Sequence, residues 1–415
     1  MENRNWKEGK SSELIDLISG FAFKSANFLA VKTYNTLPII KIKNVANGDV
    51  NLNDVVYHEY NDKLSNYIIE KGDVLIAMTG NHIHAQTQIV GDVSLYKLDE
   101  PVLLNQRVGK FVAKENTDLK FVYYLFKDEE TRFNLANKAS GSANQANISK
   151  SDILDLEISI PPLPEQKAIA SVLSSLDDKI DLLHQQNQTL EALAETLFRQ
   201  WFIVDAKEDW EVLPLNEIAE VKNGKSFKSS DFTDNDFNSY EVVKMGHIER
   251  GGGLKLNPKK DFVSREMDVE KWILNKGDII MAMTDMKDNV VILGVPAMID
   301  KDDHYVLNQR VARIYLKDNS KLISNYLLYI QLNNKDFIAE LQTKANSGVQ
   351  VNLSTEAIKE SEVLIPPIEL QKEFGHKIID LYSKIEINRE QIQTITQLRD
   401  TLLPKLMGGE VRLKM

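Results

Sequence analysis

Two tetrapeptides of identical composition, Leu104-Asn105-Gln106-Arg107 and Leu307-Asn308-Gln309-Arg310, bring carboxamides and a guanidinium together. These groups are the donors and acceptors that contact base edges or phosphate oxygens. The competing reading is a turn stapled by side-chain-to-backbone bonds. An identical pair of readers cannot specify two different sequences, so any nucleic-acid contact from these runs falls on phosphate, which positions without specifying. Lys24 and Lys228, each following a phenylalanine, are further candidates for phosphate, against the reading of solvated lysines over an aromatic core residue. Lys41, Lys43 and Asn44, with their counterparts Lys244, Gly246 and His247, end a strand, as do Met78-Thr79 and Met283-Thr284. Strand-end loops are common binding positions. Ser140-Gly141-Ser142 and Ser347-Gly348-Val349-Gln350 lie in polar loops whose backbone N–H groups suit a phosphate, or are plain loops.

Catalytic signatures are missing by comparison. There is no Gly-x-Gly-x-x-Gly after a strand and no nucleotide-binding phosphate loop. His82 and His84 have ligand-like spacing but no evident third ligand, so no metal is expected. Gly251-Gly252-Gly253 reads as a tight turn. Ile-Pro-Pro-Leu (160–163) and Ile-Pro-Pro-Ile (365–368) superficially match the Asn-Pro-Pro-Tyr motif of adenine methyltransferases, but lack the polar residue and the aromatic that hold a flipped base. No nucleophile–base pair or carboxylate cluster recurs in both halves. The chain is expected not to be catalytic by itself and to need no cofactor of its own.

Composition narrows the setting. The chain has 415 residues, 43% hydrophobic and 27% charged, enough for two or three domains. The absence of cysteine excludes disulfide scaffolds, thiolate metal sites and cysteine nucleophiles, and suits a reducing compartment. No apolar run reaches the roughly 18 residues of a membrane span, and Met-Glu-Asn-Arg-Asn-Trp starts no signal peptide. A soluble, cytoplasmic protein is expected. The net charge of −11 is unevenly spread. Residues 1–150 carry 18 basic and 18 acidic side chains, 151–205 carry 3 and 10, 206–355 carry 20 and 23, and 356–415 carry 9 and 10. The two large blocks are near neutral, which leaves room for a basic face on each.

The elements that hold these residues occur twice. Gly20-Phe21-Ala22-Phe23-Lys24-Ser25 matches Gly224-Lys225-Ser226-Phe227-Lys228-Ser229, and Lys71-Gly72-Asp73 begins a run matched from Lys276-Gly277-Asp278. Ile160-Pro161-Pro162 with Gln166-Lys167 matches Ile365-Pro366-Pro367 with Gln371-Lys372, and Trp6 matches Trp210. The period is near 205 residues, too long for a solenoid unit and right for a duplicated domain with its connector. The halves diverge between landmarks, most visibly in Asn81–Gly91 against Asp285–Gly294. These divergent segments are the best candidates for sequence discrimination. Strands are predicted at 38–43, 73–78 and 108–113, mirrored at 241–245, 278–283 and 311–316, with single helices at about 118–138 and 319–344.

The connectors read as long helices with heptad seams. Ile169, Leu173, Leu176, Ile180, Leu183, Asn187, Leu190, Ala194, Leu197 and Trp201 step by 4 and 3, as do Phe374, Ile378, Leu381, Ile385, Asn388, Ile392, Ile395, Arg399, Leu402 and Leu406. A seam asparagine usually pairs with a polar residue and sets register. Pairing Asn187 with Asn388 antiparallel makes paired numbers sum to 575, so that Ile169 meets Leu406 and Trp201 meets Phe374 along the whole seam. The predicted fold is α+β: two similar mixed α/β domains joined by two long helices in an antiparallel intramolecular coiled coil, with a pseudo-two-fold internal repeat and a globule at each end of the rod. Arg399 stands where the first helix has Ala194, a position suited to a frayed edge.

Over its full length this pattern resembles the specificity (S) subunit of type I restriction–modification systems. The features that carry the resemblance are the two-domain, two-helix layout, Gly-x-x-Phe-Lys-Ser, Leu-Asn-Gln-Arg, Ile-Pro-Pro-x-x-x-Gln-Lys, and Leu-Arg-Asp-Thr-Leu-Leu-Pro-Lys-Leu-Met-x-Gly-Glu at 398–410. The resemblance implies a first target recognition domain (1–160), a first helical connector (161–205), a second target recognition domain (206–365) and a second connector (366–415). Each domain would read one half of a bipartite double-stranded DNA target, with the coiled coil setting the spacing and docking two modification (methyltransferase) subunits. S-adenosylmethionine is implied on the methyltransferase, with a restriction subunit as an optional further partner and no membrane. Two other classes remain open: a structural adaptor binding protein, which predicts no salt-dependent DNA affinity, and an autonomous enzyme, which predicts activity from the chain alone.

Overall fold

In a computed structural model, residues 6–45, 49–80, 89–142, 145–206, 210–234, 238–286, 290–347 and 350–413 are described. The chain divides into two units, one of residues 1–180 with 394–415 and one of residues 181–393.

The first unit is built on an antiparallel sheet in the order Ile15–Ser19, Val108–Ala113, Val74–Ala77, Val93–Leu95. A second sheet runs Val56–Glu59, Thr36–Ile40, Val102–Leu104, Ile68–Ile69, with its two middle strands parallel. Val74–Ala77 is buried throughout, as a strand covered on both faces requires. The second unit repeats the arrangement with Ala219–Asn223, Val311–Leu316, Ile279–Ala282 and Pro296–Met298. Its other sheet is Phe232–Thr233, Phe262–Ser264, Ser239–Val243 and Tyr305–Leu307, again with one parallel pair.

The helices predicted as single pieces are each broken in two. Leu119–Lys127 and Glu129–Ala136 meet at Asp128, whose carboxylate accepts from the Thr131 N–H at 3.2 Å. Asn325–Leu332 and Lys335–Thr343 are separated by Asn333 and Asn334, and Asn334 caps the second helix by accepting from the Asp336 N–H at 2.8 Å. Asp and Asn satisfy the orphan N–H groups of a new helix better than they fit a helix interior.

Leu163–Arg199 and Ile368–Met407 are the two long helices. Residues on and beside their seams enter the domain cores. In the first unit Ile169, Leu173, Leu403, Leu406 and Met407 join Phe111, Phe121 and Phe126 in one buried cluster. In the second, Ala194, Phe198, Phe374 and Ile378 join Ile279, Met281 and Leu328. Each of the larger apolar side chains contributes roughly 1.5–3 kcal/mol when fully buried. Asn388 Nδ2 donates to Asn187 Oδ1 at 2.8 Å, and the Trp201 and Phe374 rings are 5.7 Å apart.

Each unit also joins a domain helix to the long helices. In the first, Asp177 accepts from Arg399 at 2.7 Å and from the Tyr124 hydroxyl at 2.8 Å, with Lys127 at 3.6 Å. Arg399 is thus the buried partner of Asp177 rather than a frayed end, with only 17% of its side chain exposed. In the second, the Tyr326 and Tyr382 rings stack at 5.2 Å and Tyr329 meets Tyr382 edge-on at 5.7 Å.

Candidate nucleic-acid interface

The Leu-Asn-Gln-Arg runs and the Gly-x-x-Phe-Lys-Ser runs form one structure in each domain. In the first, the Phe21 N–H donates to the Leu104 carbonyl at 2.9 Å and the Gln106 N–H to the Phe21 carbonyl at 3.0 Å. In the second, the Lys225 N–H donates to Leu307 at 2.9 Å and the Gln309 N–H to Lys225 at 3.0 Å. The glycines follow from this contact. A Cβ on Gly20 would lie 2.1 Å from the Asn105 carbonyl oxygen, and one on Gly224 2.2 Å from that of Asn308. The turn closes with the Val108 N–H on Asn105 at 2.8 Å and the Val311 N–H on Asn308 at 3.0 Å. Asn105 is half-buried and Asn308 buried. Gln106, Arg107, Gln309 and Arg310 are exposed, and among the described residues neither guanidinium has an ion-pair partner.

The strand-end residues divide by burial. Asn44 is buried; its side chain accepts from the Lys41 N–H at 3.0 Å and donates to the carbonyls of Asn51 and Asn53. His247 stands in the same place, with Nδ1 accepting from the Lys244 N–H at 3.2 Å. That bond leaves the proton on Nε2, which donates to Glu241 at 3.1 Å. Asn and His thus cap the same short helical turn, and sequence reading missed Glu241 as the acid behind the histidine. Glu241 also meets Lys260 at 3.0 Å; burial raises its pKa, but bonds from His247, His304 and Lys260 outweigh it and hold the carboxyl well below the usual range. Lys41 lies over the Phe28 ring at 4.6 Å, and Lys244 over Phe232 at 4.4 Å while bonded to Asp261. Lys43 is exposed, 3.9 Å from Asp54. Lys24 and Lys228 are exposed.

Thr79 and Thr284 are buried behind the turn. Their hydroxyls donate to Asn147 at 2.8 Å and Asn352 at 2.9 Å. These asparagines open a repeated Asn-x-Ser, whose serines Ser149 and Ser354 cap the next helices; that signal recurs 205 residues apart and was available in the sequence. Ser140 is exposed on a strand, Gly141 pairs with Ala146, and Ser347 pairs with Val351. Gly348 lies outside the described residues, as do His82, His84 and 81–88 of the first divergent segment. In the other divergent segment, Asp285 accepts from the N–H groups of Val291 and Ile292, both at 2.6 Å.

Three other motifs hold the frame. Asp73 of Lys-Gly-Asp accepts from Lys110 at 3.1 Å, and Asp278 from Arg313 at 2.8 Å. The same basic residues donate to the carbonyls of Ile68 at 2.8 Å and Ile273 at 3.0 Å. Gln166 and Gln371, both buried, bind the carbonyls of Pro161 at 2.9 Å and Pro366 at 2.7 Å, and accept from the Asp118 and Ile323 N–H groups. They tie the start of each long helix to its domain. Gly252 and Gly253 adopt φ of 96° and 85°, in the left-handed region that favours glycine.

Comparison with known proteins follows the same lines. The family model for the type I restriction modification DNA specificity domain matches twice, over residues 3–192 and 207–397. The chain is 24% identical over 366 residues to the type I restriction enzyme MjaVIII specificity subunit of Methanocaldococcus jannaschii, covering 84% of this chain and 81% of that one. It is 23% identical to the EcoBI specificity subunit of Escherichia coli, over 98% of this chain and 86% of the relative. The crystal structure of a type I S subunit from M. genitalium shares the fold, with a TM-score of 0.58 at 21% identity, covering 100% of this chain and 98% of that one. No helix among the described residues is long and apolar enough to cross a membrane.

Proposed function

Because the chain belongs to the type I restriction modification DNA specificity family, we infer that it is the sequence-reading subunit of such a complex. Each domain reads one half of a bipartite DNA target, while the paired helices set the distance between half-sites and dock two methyltransferase subunits. The single observation that carries this reading is the frame built twice: Gly20 against Asn105 and Gly224 against Asn308, with different side chains mounted on the same backbone. A shared scaffold with different side chains suits two readers of two sequences. In this reading residues 1–160 and 206–365 are the reading domains, and 161–205 and 366–415 the connectors.

Gln106, Arg107, Gln309 and Arg310 serve phosphate, because they are the same in both halves and exposed. Lys24 and Lys228 add to that contact. Thr79 and Thr284, through their asparagines, hold the turn rather than touch DNA. The chemistry belongs to the methyltransferase subunits, which hold S-adenosylmethionine and extrude the target base; this chain is not itself catalytic, and a restriction subunit completes the cytoplasmic complex where one is encoded.

The test is a map of modified bases in DNA from cells carrying the partner methyltransferase gene, with and without this chain. A methylated two-part motif with a fixed gap, present only with this chain, is expected. Replacing residues 1–160 with those of a relative then changes one half of the motif. An unchanged map, with both proteins expressed and soluble, overturns the reading and favours a protein-binding adaptor.

A further inference from the structure

Beside each Leu-Asn-Gln-Arg turn lies a residue that differs between the domains, and its neighbour differs with it. Phe21 and Lys225 occupy equivalent places, each forming a parallel bridge to the turn asparagine, Phe21 to Asn105 and Lys225 to Asn308. The backbone bonds on either side are the same in both domains. Phe21 packs edge-on against Tyr67, with ring centres 5.3 Å apart. Lys225 places its Nζ over the Trp272 ring, 4.7 Å from the centroid. Tyr67 and Trp272 are 205 residues apart, as the repeat requires.

We propose that these two pairs, Phe21 on Tyr67 and Lys225 on Trp272, are specificity-determining. Phe21 offers an apolar face to a thymine methyl group in the half-site of the first domain. Lys225 offers its ammonium to the O6 and N7 acceptors of a guanine in the half-site of the second. The inference rests on the sequence-reading function proposed above and names side chains that carry it.

Three observations converge. First, the position is accessible: Phe21 is 36% exposed, high for a phenylalanine, and Lys225 is half-buried. Both are followed along the paired backbone by the exposed Gln-Arg that suits phosphate. A phosphate contact next to a variable side chain is how a reader is brought into register with a base edge. Second, the platform under the variable residue is fixed. The carbonyl of Ile68, next to Tyr67, accepts from Lys110, and that of Ile273, next to Trp272, accepts from Arg313; each basic group is held in turn by the aspartate of its Lys-Gly-Asp run. A held aromatic limits the freedom of the group above it, so less order is lost on binding. Third, the chemistry separates cleanly. An aromatic ring makes apolar contact with the thymine methyl, and a lysine prefers the acceptor pair of guanine. Lys225 Nζ gives one bond to the Asp268 carbonyl at 3.2 Å, and its other two protons are available for a ligand.

The experiment maps modified bases in cells expressing the full chain with its partner methyltransferase. Wild type first establishes the two-part motif; failure there overturns the sequence-reading function itself, separately from this proposal. Lys225→Met keeps the stem and removes the charge. It is expected to relax one guanine in the half-site of the second domain, lowering preference for it by roughly tenfold or more, with the other half unchanged. Phe21→Lys with Tyr67→Trp grafts the second pair onto the first domain and is expected to turn one thymine of its half-site into guanine. If both variants methylate the wild-type motif with unchanged preference at every position, or if preference changes equally in both halves, the proposal is overturned. If the graft does not accumulate as soluble chain, Phe21→Leu and Phe21→Ser decide: Leu is expected to keep the thymine and Ser to lose it, and retention by Ser overturns the proposal.

Discussion

One repeat position holds a domain to the long helices in two chemically opposite ways. Asp177 and Tyr382 are 205 residues apart. Asp177 gathers Arg399, Tyr124 and Lys127 into a largely buried charge cluster, whereas Tyr382 gathers Tyr326 and Tyr329 into a set of rings. The lesson concerns tolerance. A buried ion cluster is stable only while every member is present, because removal of one leaves the others desolvated and unpaired. A ring cluster loses area gradually.

The sharpest way to break this contrast is Asp177→Leu, which takes the carboxylate from Lys127 and leaves Arg399 only the exposed Asp400, at 2.7 Å. It is expected to destabilise the first unit by about 3–5 kcal/mol, read by hydrogen exchange of Leu119–Lys127, with Asn325–Leu332 unaffected. Tyr382→Leu keeps an apolar side chain and is expected to cost less, about 2 kcal/mol, in the second unit alone. If the two costs are equal, the contrast fails.

A smaller effect is expected at the seam between these positions. Asn388 is fully buried and, among the described residues, its Oδ1 has no hydrogen-bond partner, so the pair with Asn187 is only half satisfied. Replacing both by leucine is expected to raise stability by about 1 kcal/mol while loosening register. Because the chain has no cysteine, engineered cysteine pairs at neighbouring seam positions report register directly.

The smallest effect separates the two junctions by the sign of their response to acid. Burial raises the Asp177 pKa, but Lys127, Arg399 and Tyr124 outweigh it and hold the carboxyl below its ordinary value. Its stabilisation is present above about pH 4 and is lost as pH falls further through the depressed value. Glu191, beside Arg389, is the reverse: burial raises its carboxyl above the ordinary value. With 45% of its side chain exposed, solvent screens much of this cost, so its ionised form destabilises the second unit only slightly near neutrality, and that cost is relieved as pH falls through the raised value. Between pH 7 and about 4, amide protection around Tyr382 should rise while that around Asp177 holds; below that range protection around Asp177 should weaken. Parallel responses would contradict the assignment of these two carboxyls.

Much of this was legible in residue spacing. The seam asparagines placed Asn388 against Asn187, because a strict heptad leaves few registers once a polar pair must coincide. The repeated turns and glycines were visible as motifs, but their mutual contact was not: Gly20 and Asn105 are 85 residues apart, and only the folded backbone brings them together. The helix breaks at Asp128 and Asn334 were hidden because apolar periodicity continues across them while the caps act through single bonds. Arg399 looked misplaced for a related reason. Its partner Asp177 is distant in sequence, and pattern reading records a charge without its counter-ion. Asn44 and His247 looked like readers because they are polar and end strands, yet both are buried as caps.

The last turn of the chain belongs to its first domain. Leu403, Leu406 and Met407 enter the same core as Phe111 and Phe121, and Gly409, at φ of 66°, brings the backbone against the Trp6 ring. During synthesis the first domain therefore emerges first but is completed last, after residues 181–393 have left the ribosome and can close on themselves. Until then its apolar face has no cover, and a chain cut before Leu403 would carry a finished second half attached to an unfinished first.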